Sequence, residues 1–187
     1  MTDSVQPRLD AAARQIRSFL SGHDRKVIVD IEGMTHDHTC GLLYGGPWKR
    51  LGVGWRYLAS LALYINPFPG FKVFVYRRMG MKIGRNVYIS PGVYLDIVHP
   101  ELLELGDNVI IGMGASIATH ERSMHTMTLG RVTIGNDVVV GGLSLIRAGV
   151  RIGDGAEIDA MMNITRSVKA GARVVASRNG QLPPTLP

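Results

Sequence analysis

The side chains best suited to catalysis lie close together in the stretch IATHERSMHT, residues 117–126. Its ionisable residues are His120, Glu121, Arg122 and His125. A second, smaller group, Asp96 and His99, precedes this stretch. A neutral imidazole can take the proton of a hydroxyl group as a general base, and it can also bind zinc. The residue types therefore indicate either general-base catalysis or a metal site.

The chain that carries these residues has a repeat of six. An aliphatic residue recurs at every sixth position from Ile83, which gives twelve hexapeptides in four sets of three. These positions are 83, 89, 95, 105, 111, 117, 134, 140, 146, 152, 158 and 164. Each hexapeptide fits a short strand and a corner, with the aliphatic side chain inward and Gly, Asn or Asp at the corner. We predict an all-β solenoid whose triangular coils stack roughly 4.8 Å apart.

The repeat is interrupted twice, and both interruptions follow the third strand of a coil. The step from position 95 to 105 has four residues too many, and the step from 117 to 134 has eleven too many. Both insertions therefore emerge at the same corner, where they can form a cleft on an otherwise uniform prism. In this register His120 lies one coil from Val98 and one from Gly149, and we expect the missing side chain of Gly149 to leave space beside His120.

These motifs resemble the hexapeptide-repeat acyltransferase superfamily. The resemblance covers residues 68–178, and IATH followed after a loop by VTIGNDVVVGG is most similar to sugar and xenobiotic O-acetyltransferases. It implies a left-handed parallel β-helix of about four triangular coils with a mainly helical N-terminal extension. It also implies a homotrimer that moves an acetyl or other short acyl group from acyl-CoA, typically acetyl-CoA, to a hydroxyl or amine of a sugar or glycan precursor. In such a family His120 is the general base, at a subunit interface.

The same resemblance implies the binding residues. Coenzyme A is expected to contact Gly142, Ala160, Thr165 and Arg166. Arg166 stands where the family more often has Lys, which keeps the charge and adds a fork of donors for phosphate. The ending VVASRNGQ departs from the family pattern, so Arg173 or Arg178 could instead contact the adenine end. Ser90 and Asp96 are expected to bind the acceptor, with Asp96 alternatively a partner of His120.

Three regions are expected: residues 1–82 as an N-terminal helical and capping segment, 83–178 as the β-helix and 179–187 as a tail. The stretch PRLDAAARQIRSFL predicts an amphipathic helix, and DRKVIVDIEGM predicts a short strand. The apolar positions of that helix are Leu9, Ala13, Ile16 and Leu20. We interpret HDHTCG, residues 36–41, as a polar loop or acceptor contact rather than a metal site.

Residues 47–82 predict two apolar helices separated by a proline turn. Residues 38–95 contain eight Lys and Arg residues and no Asp or Glu, so this segment has a charge of +8. The net charge of the whole chain is +6, so the basic character is concentrated in this segment. Trp48, Trp55, Tyr57 and Tyr64 are candidate interfacial anchors. Two interpretations stay open: the helices cap the solenoid or pack in a trimer, or they make a peripheral contact with anionic lipid.

The cysteine content and the lack of a targeting pattern indicate a cellular compartment for the protein. Cys40 is the only cysteine, so an intrachain disulfide is impossible, and a reducing compartment is favoured. The N-terminus lacks a secretory pattern, and no apolar run reaches the length of a membrane span. We therefore expect a cytoplasmic protein, with a peripheral location at the inner membrane face left open, and we expect no metal.

Two other functions compete with acyl transfer. Zinc-dependent carbonic anhydrases of the gamma class share this fold and use interface histidines, for which His99, His120 and His125 are candidates. A non-catalytic scaffold is the third class. Because no aromatic residues alternate with the basic residues of 49–85 as in a single-strand binder, we expect no nucleic-acid partner. Acetyl-CoA turnover, zinc content and a salt-dependent nucleic-acid shift distinguish the three.

Overall fold

The computed structural model describes residues 5–45, 47–64 and 68–175. Its first part contains α1 (Val5–Ser21), β1 (Lys26–Asp30), α2 (His36–Tyr44), α3 (Pro47–Tyr64) and α4 (Pro69–Arg78). The predicted strand and the two predicted helices of residues 47–82 are therefore present, whereas residues 65–67 of the predicted proline turn lie outside the described residues. No helix in these ranges is both long and apolar enough to cross a bilayer.

Helix α1 packs through a face that differs from the predicted one. Its buried residues are Ala12, Ile16 and Phe19, whereas Leu9, Ala13 and Leu20 of the predicted stripe are only half-buried. The reason is Phe19, which is 2% exposed and packs with residues of β1 and of the second insertion. Arg131 holds the same end of α1, because its guanidinium donates to the carbonyls of Phe19 and Gly22 at 3.2 and 2.8 Å.

The sequence predicts HDHTCG as a polar loop or an acceptor contact; the loop is wrong, because this stretch starts α2, and the acceptor contact stays a prediction. Thr35 caps this helix: its Oγ1 accepts from the backbone N–H of His38, and its own N–H donates to Nδ1 of His38. This reciprocal pair satisfies two donors that a helix N-terminus otherwise leaves open. The signal was the Thr35-x-x-His38 spacing, with His38 in the place usually taken by Glu or Gln.

The repeat region forms three parallel sheets that the chain visits in turn. The first sheet contains β2 (Lys82–Ile83), β5 (Leu103–Leu105), β10 (Val132–Ile134) and β13 (Arg151–Ile152). The second contains β3 (Tyr88–Ile89), β6 (Ile110–Ile111), β11 (Val139–Val140), β14 (Glu157–Ile158) and β16 (Arg173–Val174). The third contains β4 (Tyr94–Leu95), β7 (Ser116–Ile117), β12 (Leu145–Ile146) and β15 (Asn163–Ile164). Each set of three predicted hexapeptides thus supplies one strand to every sheet.

The aliphatic positions of the hexapeptides are buried in the core, as the repeat predicts, except for Ile83 in the first coil, which is partly buried against it. Ile111, Ile117 and Ile146 have no exposed surface, and parallel pairing aligns Leu95 with Ile117 and Ile117 with Ile146. These side chains form one continuous hydrophobic cluster along the stack. Burial of a large aliphatic side chain contributes about 1.5–3 kcal/mol. The repeat therefore builds the core and fixes the register of the three sheets together.

We name the edge of the stack that follows each sheet the first, second or third edge. At the first edge, the corner residues Asn86, Asn108 and Asp137 have positive φ, which these short polar residues tolerate. Their side chains also bond between coils: Asn86 Nδ2 donates to Asn108 Oδ1 at 3.0 Å, and Asn108 Nδ2 donates to Asp137 Oδ1 at 2.8 Å. Polar corners thus connect successive coils.

Both insertions leave at the third edge. The first contains a single 3₁₀ turn, η1 (Pro100–Leu102), and the second forms a β-hairpin of β8 (His120–Arg122) and β9 (Thr126–Gly130). Strand β1 joins this hairpin antiparallel to β9, in the order β1-β9-β8. The expected space beside Gly149 is therefore filled: a Cβ on this residue would meet the side chain of Lys26 at 3.1 Å.

Candidate active site

His120 lies at the point where the second insertion leaves the third sheet. Its Nδ1 is 2.6 Å from Oδ2 of Asp96, which follows β4 in the preceding coil. The imidazole is 21% exposed, whereas the carboxylate of Asp96 is 1% exposed. The third edge therefore presents a histidine whose partner carboxylate is buried behind it.

Every polar contact of the Asp96 carboxylate belongs to this arrangement. Oδ2 also accepts from the backbone N–H of Thr119 at 2.9 Å, from Thr119 Oγ1 at 2.8 Å and from the N–H of His120 at 3.1 Å. Oδ1 accepts from the N–H of Val98 at 3.1 Å. The oxygens of Asp96 are thus engaged, and its surface is buried. Of the two roles expected for Asp96, these contacts favour the partner of His120, and acceptor binding stays a prediction.

Asp96 is held in its charged form. Burial by itself would raise the pKa of this carboxyl, but the hydrogen bonds from His120 and Thr119 outweigh it and keep the pKa below its ordinary value. A carboxylate only accepts, so the His120 Nδ1 carries a proton and donates it. The neutral ring then has its lone pair on Nε2. This is the tautomer that a general base requires.

The next residue, Glu121, anchors the hairpin to the following coil. Arg147 grips its carboxylate with two donors: Nε lies 2.9 Å from Oε1, and Nη2 contacts Oε2. Oε1 also accepts from the backbone N–H of Ala148 at 3.0 Å. The bond to Arg147, followed by the N–H of Ala148, lowers the pKa of Glu121 against the effect of burial. His120 is thus held by Asp96 from one coil while its neighbour is held from another.

The three histidines considered for zinc do not converge. His99 Nδ1 lies 3.0 Å from Glu101 Oε1, and His125 Nδ1 lies 3.9 Å from Glu32. His120 turns its Nδ1 to Asp96. In the described part of the chain no cluster of three His, Cys, Asp or Glu residues is arranged to hold a metal ion.

A cavity of about 490 Å³ lies beside the first insertion. It is bounded by α1, α2 and α3 and by residues 98–101, with Tyr44, Arg56 and His99 among its polar lining. Arg56 donates to the carbonyl oxygens of Ile97 and Val98 at 3.4 Å. His99 Nε2 is buried and has no hydrogen-bond partner within the described ranges.

The stacking register divides the expected site residues between two edges. Asp96, His120, Thr165 and Arg166 follow strands of the third sheet and lie at the third edge. Ser90, Gly142 and Ala160 follow strands of the second sheet and lie at the second edge. Ser90 is buried, and its carbonyl accepts from Lys72 Nζ at 3.2 Å. One copy of the chain therefore does not bring the two groups together.

Sequence reasoning missed several residues around His120. Thr119 and Arg147 had no distinguishing motif, because each becomes relevant only through pairing between coils. A group of three tyrosines, Tyr44, Tyr57 and Tyr94, was also missed, and their side chains lie close enough to influence one another's pKa. Burial, with the bond to Tyr57 second, raises the pKa of Tyr44 to about 12. These three residues come from α2, α3 and β4, so only the fold places them near Asp96.

Comparison with known proteins agrees with the repeat. A family model described as the hexapeptide repeat of succinyl-transferase matches residues 131–165. The Bacillus subtilis (strain 168) protein named "Putative acetyltransferase YvoF" is 38% identical over 110 residues, which are 58% of this chain and 64% of that protein. The chain thus spans less than two thirds of the length of this curated relative.

The fold also has a counterpart among solved structures. The hexapeptide-repeat-containing acetyltransferase from Vibrio cholerae superposes with a TM-score of 0.53 at 19% identity, over 69% of this chain and 86% of that one. At this identity the likeness concerns the fold. The chain is therefore similar to this repeat family over residues 131–165, to a putative acetyltransferase in sequence and to a hexapeptide-repeat acetyltransferase in fold.

Proposed function

We propose that this protein transfers an acetyl group from acetyl-CoA to a hydroxyl of a sugar or glycan precursor, as the similar sugar and xenobiotic O-acetyltransferases do. The observation that supports this most is the 2.6 Å contact of His120 Nδ1 with buried Asp96. That contact makes Nε2 of His120 the proton acceptor. An amine acceptor would use the same base.

The chemistry needs a base and no covalent enzyme intermediate. Nε2 of His120 takes the proton of the acceptor hydroxyl as its oxygen attacks the thioester carbonyl. The C–O bond forms, the C–S bond breaks, and the proton passes from Nε2 to the departing thiolate. The carboxylate of Asp96 stabilises the imidazolium between these two steps.

Acetyl-CoA enters this scheme as a co-substrate. Arg166 and Thr165 are exposed at the same edge as His120, and a guanidinium suits the phosphate groups of coenzyme A. Gly142 is required for packing as well, since a Cβ there would lie 2.9 Å from the carbonyl oxygen of Met113. We assign these residues and Ala160 to coenzyme A binding, as the resemblance implies.

We further propose a homotrimer with the site between subunits and with left-handed coils. The second edge exposes a column of large apolar residues, Met113, Leu143 and Met161, each more than 60% exposed. Such a column is suited to burial against another copy. Contact of the second edge of one copy with the third edge of the next would unite Gly142 and Ala160 with His120.

The acceptor is assigned to the cavity bounded by α1, α2 and α3. Val98 lines this cavity and lies three residues after Leu95. Leu95 pairs with Ile117 in the next coil, and His120 lies three residues after Ile117. The cavity and His120 are therefore neighbours in the stack. The hydroxyl of Tyr44, which lines the cavity, offers a hydrogen bond to a hydroxylated ligand. We place the reaction in the cytoplasm, which suits a chain with a single cysteine.

The test is thiol release from acetyl-CoA with a panel of sugar acceptors, comparing wild type with His120→Ala. His125→Ala is the matched control, because His125 is on the same hairpin and its side chain is 72% exposed. We expect acceptor-dependent release that falls about 10²–10⁴-fold in His120→Ala alone. Equal loss in both variants, or stoichiometric zinc that disappears with His120, would overturn the assignment in favour of a metalloenzyme.

A further inference from the structure

Helix α3 keeps most of its large apolar side chains on the outside. Leu51, Trp55, Leu58 and Leu61 each expose more than 60% of their surface. Their spacing of four, three and three residues places them on one face of the helix. The buried residues Val53 and Leu63 lie on the opposite face and hold α3 against the protein. The solvent-exposed face of α3 is therefore apolar.

Helix α4 continues this pattern with aromatic residues. Phe71 and Phe74, one turn apart, are 52% and 57% exposed, whereas Val73 and Tyr76 are buried in the core. Arg77 and Arg78 end the helix and are both exposed. The six exposed apolar residues of α3 and α4 are called here the apolar face. Soluble proteins rarely leave such a surface uncovered without an interaction partner.

The charge around the apolar face indicates which partner. Residues 38–95 contain eight Lys and Arg and no acidic residue. Of these, Arg77 and Arg78 are exposed at the end of α4, whereas Lys72 is buried and Lys82 and Arg85 pair with acidic residues of the next coil. Two copies that met through this face would bring like charges together. An anionic surface would be attracted to it. Exposed leucine and aromatic side chains on a helix with a basic fringe are the composition that binds anionic lipid at the interface.

We propose that the apolar face docks on an anionic lipid surface. Trp55, Leu58 and Phe71 enter the boundary between headgroups and acyl chains, and the basic residues contact lipid phosphates. The same helix connects this face to the candidate site: on its other side Arg56 donates to the carbonyls of Ile97 and Val98, next to Asp96. Docking therefore holds the third edge close to the membrane, where a lipid-linked acceptor would be found. Only this last consequence rests on the proposed function.

The experiment is sedimentation of the full chain with vesicles, without acetyl-CoA. Vesicles of phosphatidylcholine mixed with phosphatidylglycerol are compared with pure phosphatidylcholine, at low and high salt. We expect binding to the anionic vesicles that weakens with salt. Leu58→Glu and Phe71→Glu should reduce binding at least tenfold, and Arg78→Gln about fivefold. Met124→Glu is the matched control, since Met124 is an 84% exposed apolar residue on the hairpin.

A depth measurement completes the test. The chain has two tryptophans, so Trp48→Phe leaves Trp55 as the single reporter. Brominated lipid should quench its fluorescence. Absence of quenching, equal binding of all four variants, or no binding to anionic vesicles at low salt would overturn the proposal. Dissociation of a lipid-free oligomer by Leu58→Glu but not by Met124→Glu would also overturn it, because a second copy would then cover the face.

Discussion

Asp96 and His120 contact each other at 2.6 Å although they belong to successive coils. Their strands β4 and β7 align Leu95 with Ile117, so the dyad is positioned by the same register that forms the core. The following coil adds the contact of Arg147 with Glu121. Three stacked coils therefore cooperate to orient one imidazole.

Asp96→Asn should impair catalysis more than binding. An amide at this position can present an N–H to Nδ1, which would move the ring proton to Nε2 and remove the base. We expect kcat for acetyl transfer to fall about 10²-fold or more, with KM for acetyl-CoA nearly unchanged. Steady-state kinetics on both substrates check this. An unchanged kcat would contradict the role of Asp96 as the residue that positions His120.

Stability should depend on the charge of Asp96 in acid. Because its folded pKa is below the unfolded value, the contribution is complete above the ordinary carboxyl pKa near 4 and is lost as pH falls through the folded pKa. Urea unfolding from pH 7 downward should show the gap between wild type and Asp96→Asn narrowing below about pH 4. Asp10→Asn, at an exposed position on α1, is the control and should leave the pH profile unchanged.

The Glu121–Arg147 pair should secure the hairpin more than the core. We expect Glu121→Gln to cost about 1–2 kcal/mol, since two charge-assisted bonds are weakened at a half-exposed site. Hydrogen exchange should increase in β8 and β9 and not in the three parallel sheets. A double-mutant cycle with Arg147→Met measures the coupling. Additive single effects would show that the two side chains do not act together.

Glycine at position 130 should be indispensable, because β9 ends against the next coil. A Cβ on Gly130 would lie 2.7 Å from the backbone carbonyl carbon of Ala148, closer than any relaxed contact allows. We expect Gly130→Ala to lower the unfolding free energy by roughly 2–4 kcal/mol. Gly54→Ala, on the exposed surface of α3 with nothing within 4 Å, should instead stabilise by about 0.5–1 kcal/mol. Thermal unfolding of the two variants should show a lower midpoint temperature than wild type for Gly130→Ala and a higher one for Gly54→Ala.

The repeat made most of the fold predictable. A period of six with aliphatic residues at fixed positions admits few structures, and counting located both insertions at one edge. The same count aligned His120 with Val98 and Gly149. It could not reveal that Lys26 fills the space at Gly149, because β1 is nearly a hundred residues from the hairpin and its alternating pattern does not identify a partner.

Residues of the candidate site could be predicted only where they belong to a recognisable motif or occupy a fixed position in the six-residue repeat. His120 was found through a resemblance, and the structure gives it a buried carboxylate partner. Asp96 was identified with two possible roles, and sequence could not choose between them because it does not show which groups its oxygens contact. The proximity of Tyr44, Tyr57 and Tyr94 could not be predicted from the sequence, because side chains from two helices and a strand come together only when the protein folds.

The pairing of β1 with β9 bears on the order in which parts of the protein fold during synthesis. Lys26 pairs with Gly130, so β1 leaves the ribosome roughly a hundred residues before the strand that it must meet. Closing so long a loop is entropically costly, and such nonlocal pairs tend to form late. The parallel coils, in contrast, can be added one after another as the chain emerges. A nascent chain would therefore form the parallel coils first and add β1 to the hairpin that carries His120 last.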